Sequence, residues 1–90
     1  MTGRQALDKV LNTIRSYVHT HHKNPECLVL GWELSIDLCK CNQTEIGQMA
    51  AETMKFGNKA FEKHGVFGIP VKIDRKNFTS DVEALPKQKK

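Results

Sequence analysis

The residues best suited to chemistry in this 90-residue chain are its histidines, cysteines and paired acids. His19, His21 and His22 crowd one short stretch, and Cys39-x-Cys41 follows. Neutral imidazole binds zinc, nickel or copper, and thiolates could complete the set, which makes His19, His21 and His22 the metal candidates. The spacing argues against a site. Structural zinc centres separate paired cysteines by about two to four residues, and a one-residue gap rarely lets both thiolates meet one tetrahedral ion. On a helix, positions 39 and 41 also point in different directions. The histidines read instead as the solvated end of a helix, where they complement the helix dipole. No metal and no cofactor is expected.

A cysteine enzyme needs a thiolate beside a base. Cys39 or Cys41 with His64 would be the pair, but no spacing in the chain brings them together. Cys27 and Cys39 sit among apolar residues and read as small core side chains. Glu33 and Asp37, four apart on one helix face, have the spacing for acid/base work or a divalent ion. An exposed acidic face is the commoner outcome. Gly65-Val66-Phe67-Gly68 is too short for a phosphate loop and precedes a strand rather than a helix. The chain is therefore not expected to be an enzyme, and no small-molecule substrate suggests itself.

Lys55, Lys59 and Lys63 form a stripe at four-residue spacing. Like charges so placed repel, and a phosphate backbone would relieve them. Lys72, Arg75, Lys76 and the lysine tail would extend the patch. Against this, Glu52 and Glu62 are near enough to pair with Lys55 and Lys59, and Phe56 and Phe61 are needed inside. Nucleic-acid binding through Lys55, Lys59, Lys63, Lys72, Arg75 and Lys76 is thus the alternative function.

These side chains must be carried by a few elements. Ala6, Leu7, Val10, Leu11, Ile14, Tyr17 and Val18 recur at helical spacing and predict a helix over 2–20, opened by a Thr2/Gln5 capping box. Asn24-Pro25 disfavours further helix. Cys27-Leu28-Val29-Leu30 predicts a buried strand, and Gly31 permits a change of direction. A short second helix is expected from Trp32 to about Lys40, with Trp32, Ile36 and Cys39 on its inner side. A long third helix is expected from an Asn42 cap, with Glu45 in its first turn, to His64, with Gly65 ending it. Ile69, Val71 and Ile73 alternate within a second strand over 66–74, and Pro70 assigns that strand to an edge. Phe78 is expected to dock on the core, and 81–85 to form a helical turn. Two strands make a marginal sheet, so a third is sought in 76–85 or from a second chain.

Ninety residues are one domain, expected over 1–85, with 86–90 a basic disordered tail. The fold class is α+β in the order helix-strand-helix-helix-strand, two long helices covering a small sheet. With 39% hydrophobic and 27% charged residues, the chain is neither wholly disordered nor a collagen-like repeat. The net charge is +4, and the tail lysines supply +3 of it, so the high pI describes the tail more than the body. No apolar run reaches the roughly 18 residues that span a bilayer, so no membrane partner is expected. The start carries no leader-like stretch, and three cysteines are an odd number. The expected compartment is cytoplasmic, with free thiols.

Two segments carry a likeness to a known family. Asn24-Pro25-Glu26-Cys27-Leu28-Val29-Leu30-Gly31-Trp32-Glu33-Leu34 resembles the strand, glycine and aromatic-bearing helix of the A-domain in tailed-phage major capsid proteins and small A-domain encapsulin-like proteins. Val66-Phe67-Gly68-Ile69-Pro70-Val71-Lys72-Ile73-Asp74 resembles the Gly-x-Pro-Val strand that returns to the sheet in those domains. With the helices between, the similarity spans about residues 5–74. It implies a structural protein of phage or mobile-element origin that self-associates into a homo-oligomer and has no active site. The long spine helix and extended loop of a full capsid subunit have no counterpart here, so any assembly would use this domain alone.

Overall fold

The computed structural model describes residues 2–41 and 49–86. Helix α1 spans Gly3–His21. Its start follows the sequence: Thr2 Oγ1 accepts the Gln5 N–H at 3.1 Å, and Gln5 Oε1 accepts the Thr2 N–H at 2.8 Å. Its end is made by His22, left-handed at φ 58°, whose N–H donates to the Val18 carbonyl at 2.7 Å. Ala6, Leu7, Val10 and Tyr17 are buried along its inner face.

Strand β1 (Cys27–Gly31) is the centre of a three-stranded sheet. Strand β2 (Val71–Asp74) runs parallel to it, pairing Leu28 with Val71 and Leu30 with Ile73. Strand β3 (Val82–Leu85) lies antiparallel on its other side, pairing Leu28 with Ala84 and Leu30 with Val82. The third strand therefore comes from this chain, and the helical turn expected at 81–85 is extended instead. The reason is register: Val82 and Ala84 pack with the core, and the Gly31 N–H gains the Asp81 carbonyl at 2.8 Å. The α+β class stands, and Pro70 does precede an edge strand.

Leu28, Leu30, Val71 and Ile73 meet Ala6, Leu7 and Val10 of α1 and further apolar residues from the helices between the strands. Each fully buried leucine or isoleucine contributes about 1.5–3 kcal/mol of transfer free energy, so this small cluster holds the fold. Helix α2 (Trp32–Leu38) buries Leu34, Ser35 and Leu38. That corrects the expected face: Trp32 and Cys39 are only half-buried and Ile36 is exposed, because the chain leaves β1 at Gly31 with Leu34 already turned toward the sheet.

The amides at the start of α2 are satisfied by backbone. Trp32 N–H donates to the Asn77 carbonyl at 2.9 Å and Leu34 N–H to the Thr79 carbonyl at 3.2 Å. That loop passes so close that a Cβ on residue 31 would strike the Thr79 carbonyl oxygen, so glycine is required at this position.

The long third helix is two helices among the described residues. Helix α3 (Met49–Phe56) and helix α4 (Lys59–His64) are separated at Gly57, whose φ of 61° ends the first. The break turns Phe56 out to solvent while Phe61 stays buried, where both were expected inside. Phe78 is likewise exposed, between Asn77 and Thr79, whose carbonyls face the start of α2. The second strand is also shorter than its sequence pattern. Val66 and Ile69 pair across a tight turn whose central residues, Phe67 and Gly68, have φ of 53° and 78°. The helix start expected at Asn42 and Glu45 and the tail from Lys87 lie outside the described residues.

Candidate interaction surface

His19 and His21 sit in the last turn of α1 and His22 caps it, all three exposed. His21 spends its ring on Tyr17, the centroids being 4.1 Å apart. Among the described residues no group of three or more His, Cys, Asp or Glu converges on a metal-sized site.

Cys27 and Cys39 are free thiols, Cys27 buried and Cys39 half-buried, and Cys41 is buried as well. Cys41 Sγ donates to the Gly3 carbonyl at 3.1 Å, tying the chain after α2 to the start of α1. Burial pushes the Cys39 thiol up from its ordinary range. Burial raises Cys27 as well, partly opposed by the Lys72 ammonium. Both thiols are held in the protonated, weakly nucleophilic form. His64 Nε2 faces Glu52 Oε2 at 3.4 Å, so the base considered for a cysteine enzyme bridges α4 to α3 instead.

Lys55, Lys59 and Lys63 are all exposed, but the break at Gly57 divides the stripe between α3 and α4. The acids expected to neutralise them are engaged elsewhere. Glu52 faces His64, and Glu62 takes Arg75 Nη2 at 2.5 Å and Arg75 Nη1 at 3.3 Å. Lys63 Nζ lies 4.6 Å from the centroid of the exposed Phe56 ring, a cation–π contact. Lys72, Arg75 and Lys76 share a cleft of about 460 Å³ with Val29, Asp74 and Glu83 on the open side of the sheet. The acids there offset the cations, and Arg75 is already committed to Glu62. The six cations named by the sequence thus divide between two settings, and among the described residues only Arg75 of the six closes an ion pair.

Glu33 and Asp37 do share one side of α2, as their spacing requires. With Trp32 and Ile36 they line a cleft of about 380 Å³. Asp37 is bridged to Lys40 at 3.0 Å, whereas Glu33 stands exposed without an ion pair among the described residues.

Sequence reasoning missed the exposed apolar side chains. Met54 is 88% exposed, Phe78 65%, Phe67 55% and Phe56 45%. Helical spacing suggested that Phe56 belonged inside, and only Gly57 directly after it signalled otherwise. Among the described residues no helix is long and apolar enough to cross a membrane. No family model, curated protein or solved structure matches the chain.

Proposed function

We propose that this chain is a non-enzymatic interaction protein that works by associating with copies of itself. The observation that carries the reading is the exposure of Met54, Phe56, Phe67 and Phe78 on a domain with so small a core. Large apolar side chains left in water favour a protein partner when they gather on a surface. The likeness of residues 24–34 and 66–74 to capsid A-domain segments supports the same reading, and those two segments are neighbours in the sheet as β1 and β2. Protonated, buried thiols suit a binding protein better than a cysteine enzyme. They also suit a reducing compartment such as the cytoplasm.

Association of this kind would use side chains rather than strand addition. The β2 rim is occupied by Glu62, which accepts the Ile73 N–H at 3.4 Å. The β3 rim is four residues long and is followed by Pro86, which has no N–H. Sedimentation velocity over a range of concentrations tests the proposal. A mass that rises above the monomer with concentration is expected; a strict monomer throughout would overturn it.

One observation favours nucleic-acid binding as a second reading. Phe56, exposed beneath Lys63, supplies the aromatic face that a lysine patch needs to stack a base. Binding to single-stranded DNA should then weaken steeply with salt and on Lys59→Ala/Lys63→Ala. Salt-independent binding, or none, would remove this reading.

A further inference from the structure

We infer that two copies associate reciprocally, the α2 cleft of each receiving the α3–α4 face of the other. The inference rests on the self-association proposed above and names its surfaces. The α2 cleft offers Trp32 and Ile36 as an apolar floor with Glu33 and Asp37 beside them. The α3–α4 face offers Phe56 with the Lys63 ammonium over its ring, flanked by the exposed Lys55 and Lys59. One surface is apolar and acidic, the other apolar and basic. Each is only partly answered within its own chain: Asp37 is bridged to Lys40 and Lys59 feels the Glu62 charge, but Glu33 and the three lysines close no ion pair among the described residues, and Glu52 and Glu62 face His64 and Arg75.

The two surfaces also sit on linked elements. Asn58, between α3 and α4, donates through Nδ2 to Ser35 Oγ at 3.0 Å, and both side chains are buried. Ser35 in turn donates to the Trp32 carbonyl at 2.6 Å. This link ties the α3–α4 junction to α2, so the elements that carry the two surfaces are neighbours in one molecule. A two-fold axis between two copies lets each cleft meet the other copy's face, so the contact is made twice and closes at a dimer. Phe56 against Trp32 and Ile36 forms the water-excluding centre, and the lysines against Glu33 set orientation.

Charge reversal tests the contact with the intact chain. Glu33→Lys makes both surfaces basic, and Lys59→Glu/Lys63→Glu makes both acidic; all three positions are exposed, and circular dichroism verifies the fold. By sedimentation velocity, wild type should reach a dimer, and each variant alone should associate at least about tenfold more weakly. An equimolar mixture of the two should recover a dimer, since both of its contacts are again complementary. If wild type dimerises and the variants dimerise equally well, or the mixture fails to recover, this contact is wrong while self-association stands. Wild type growing beyond a dimer would overturn the two-fold arrangement. A monomer that shifts only when single-stranded DNA is added would overturn both statements and give the lysine face to nucleic acid.

Discussion

Glu62 grips Arg75 with both carboxylate oxygens, Oε1 to Nη2 at 2.5 Å and Oε2 to Nη1 at 3.3 Å, and Oε2 also takes the Ile73 N–H. One side chain from α4 thereby occupies the outer rim of β2 and the turn that follows it. The rim is covered without another strand, a common way to keep sheet edges from pairing with other chains.

The Arg75 hydrogen bonds hold the Glu62 carboxyl below the usual carboxylate range, against the effect of its partial burial. A carboxyl whose folded pKa is depressed adds stability above its unfolded pKa, and that stability disappears as pH falls through the folded value. Glu62→Gln should therefore lower the urea midpoint near pH 7. The gap from wild type should narrow as pH falls below the ordinary carboxylate range and close once Glu62 is protonated in the folded state too. A gap that persists in acid would show that the contribution is not ionic.

Phe67 holds a left-handed backbone at the first central position of the turn between Val66 and Ile69, followed by Gly68. With φ positive at both positions this is the geometry that Asn-Gly prefers, and a bulky side chain there carries strain. Phe67→Asn should raise stability by about 0.5–1 kcal/mol in urea unfolding. A variant less stable than wild type would mean that Phe67 supports the fold and is not merely displayed by it.

At Gly31 an added methyl would meet the Thr79 carbonyl oxygen, and that oxygen is backbone. Gly31→Ala should cost about 1–3 kcal/mol, the range for overpacking a tight site. The urea midpoint should fall accordingly. No change in midpoint would show that the 77–81 loop yields freely.

Burial raises the thiols of Cys27 and Cys39, so the thiolate forms only above the ordinary thiol range. Iodoacetamide at neutral pH should modify the native protein slowly, at half-buried Cys39 before Cys27, and faster as pH rises. In denaturant all three cysteines should label together. Rapid native labelling of Cys27 would show that the β1 end of the sheet opens readily.

The parts of the fold that depend on period were legible in the sequence. The Thr2/Gln5 cap forms, and the α1 stripe (with Leu11 and Ile14 only partly buried and Val18 exposed) and the Leu28 and Ile69–Ile73 patterns point inward as their spacing requires. What failed depended on single backbone decisions. Gly57 costs a helix little enough that 42–64 read as continuous, yet its positive φ turns Phe56 outward. Val82-Glu83-Ala84-Leu85 is four residues with helix-friendly composition, and only the vacant side of β1 draws it into a strand. The lysines were legible as a group, but their freedom was not. It depends on Glu62 hydrogen-bonding Arg75, thirteen residues away, and meeting Lys59 of its own helix only through the field of its charge.

The carbonyls of Asn77 and Thr79 close the first turn of α2, and the strand that follows them seals the flank of β1. A helix in the first half of the chain is thus completed only when its last quarter arrives. The two must melt together, and ribosomal synthesis leaves α2 frayed until residues 77–85 have emerged.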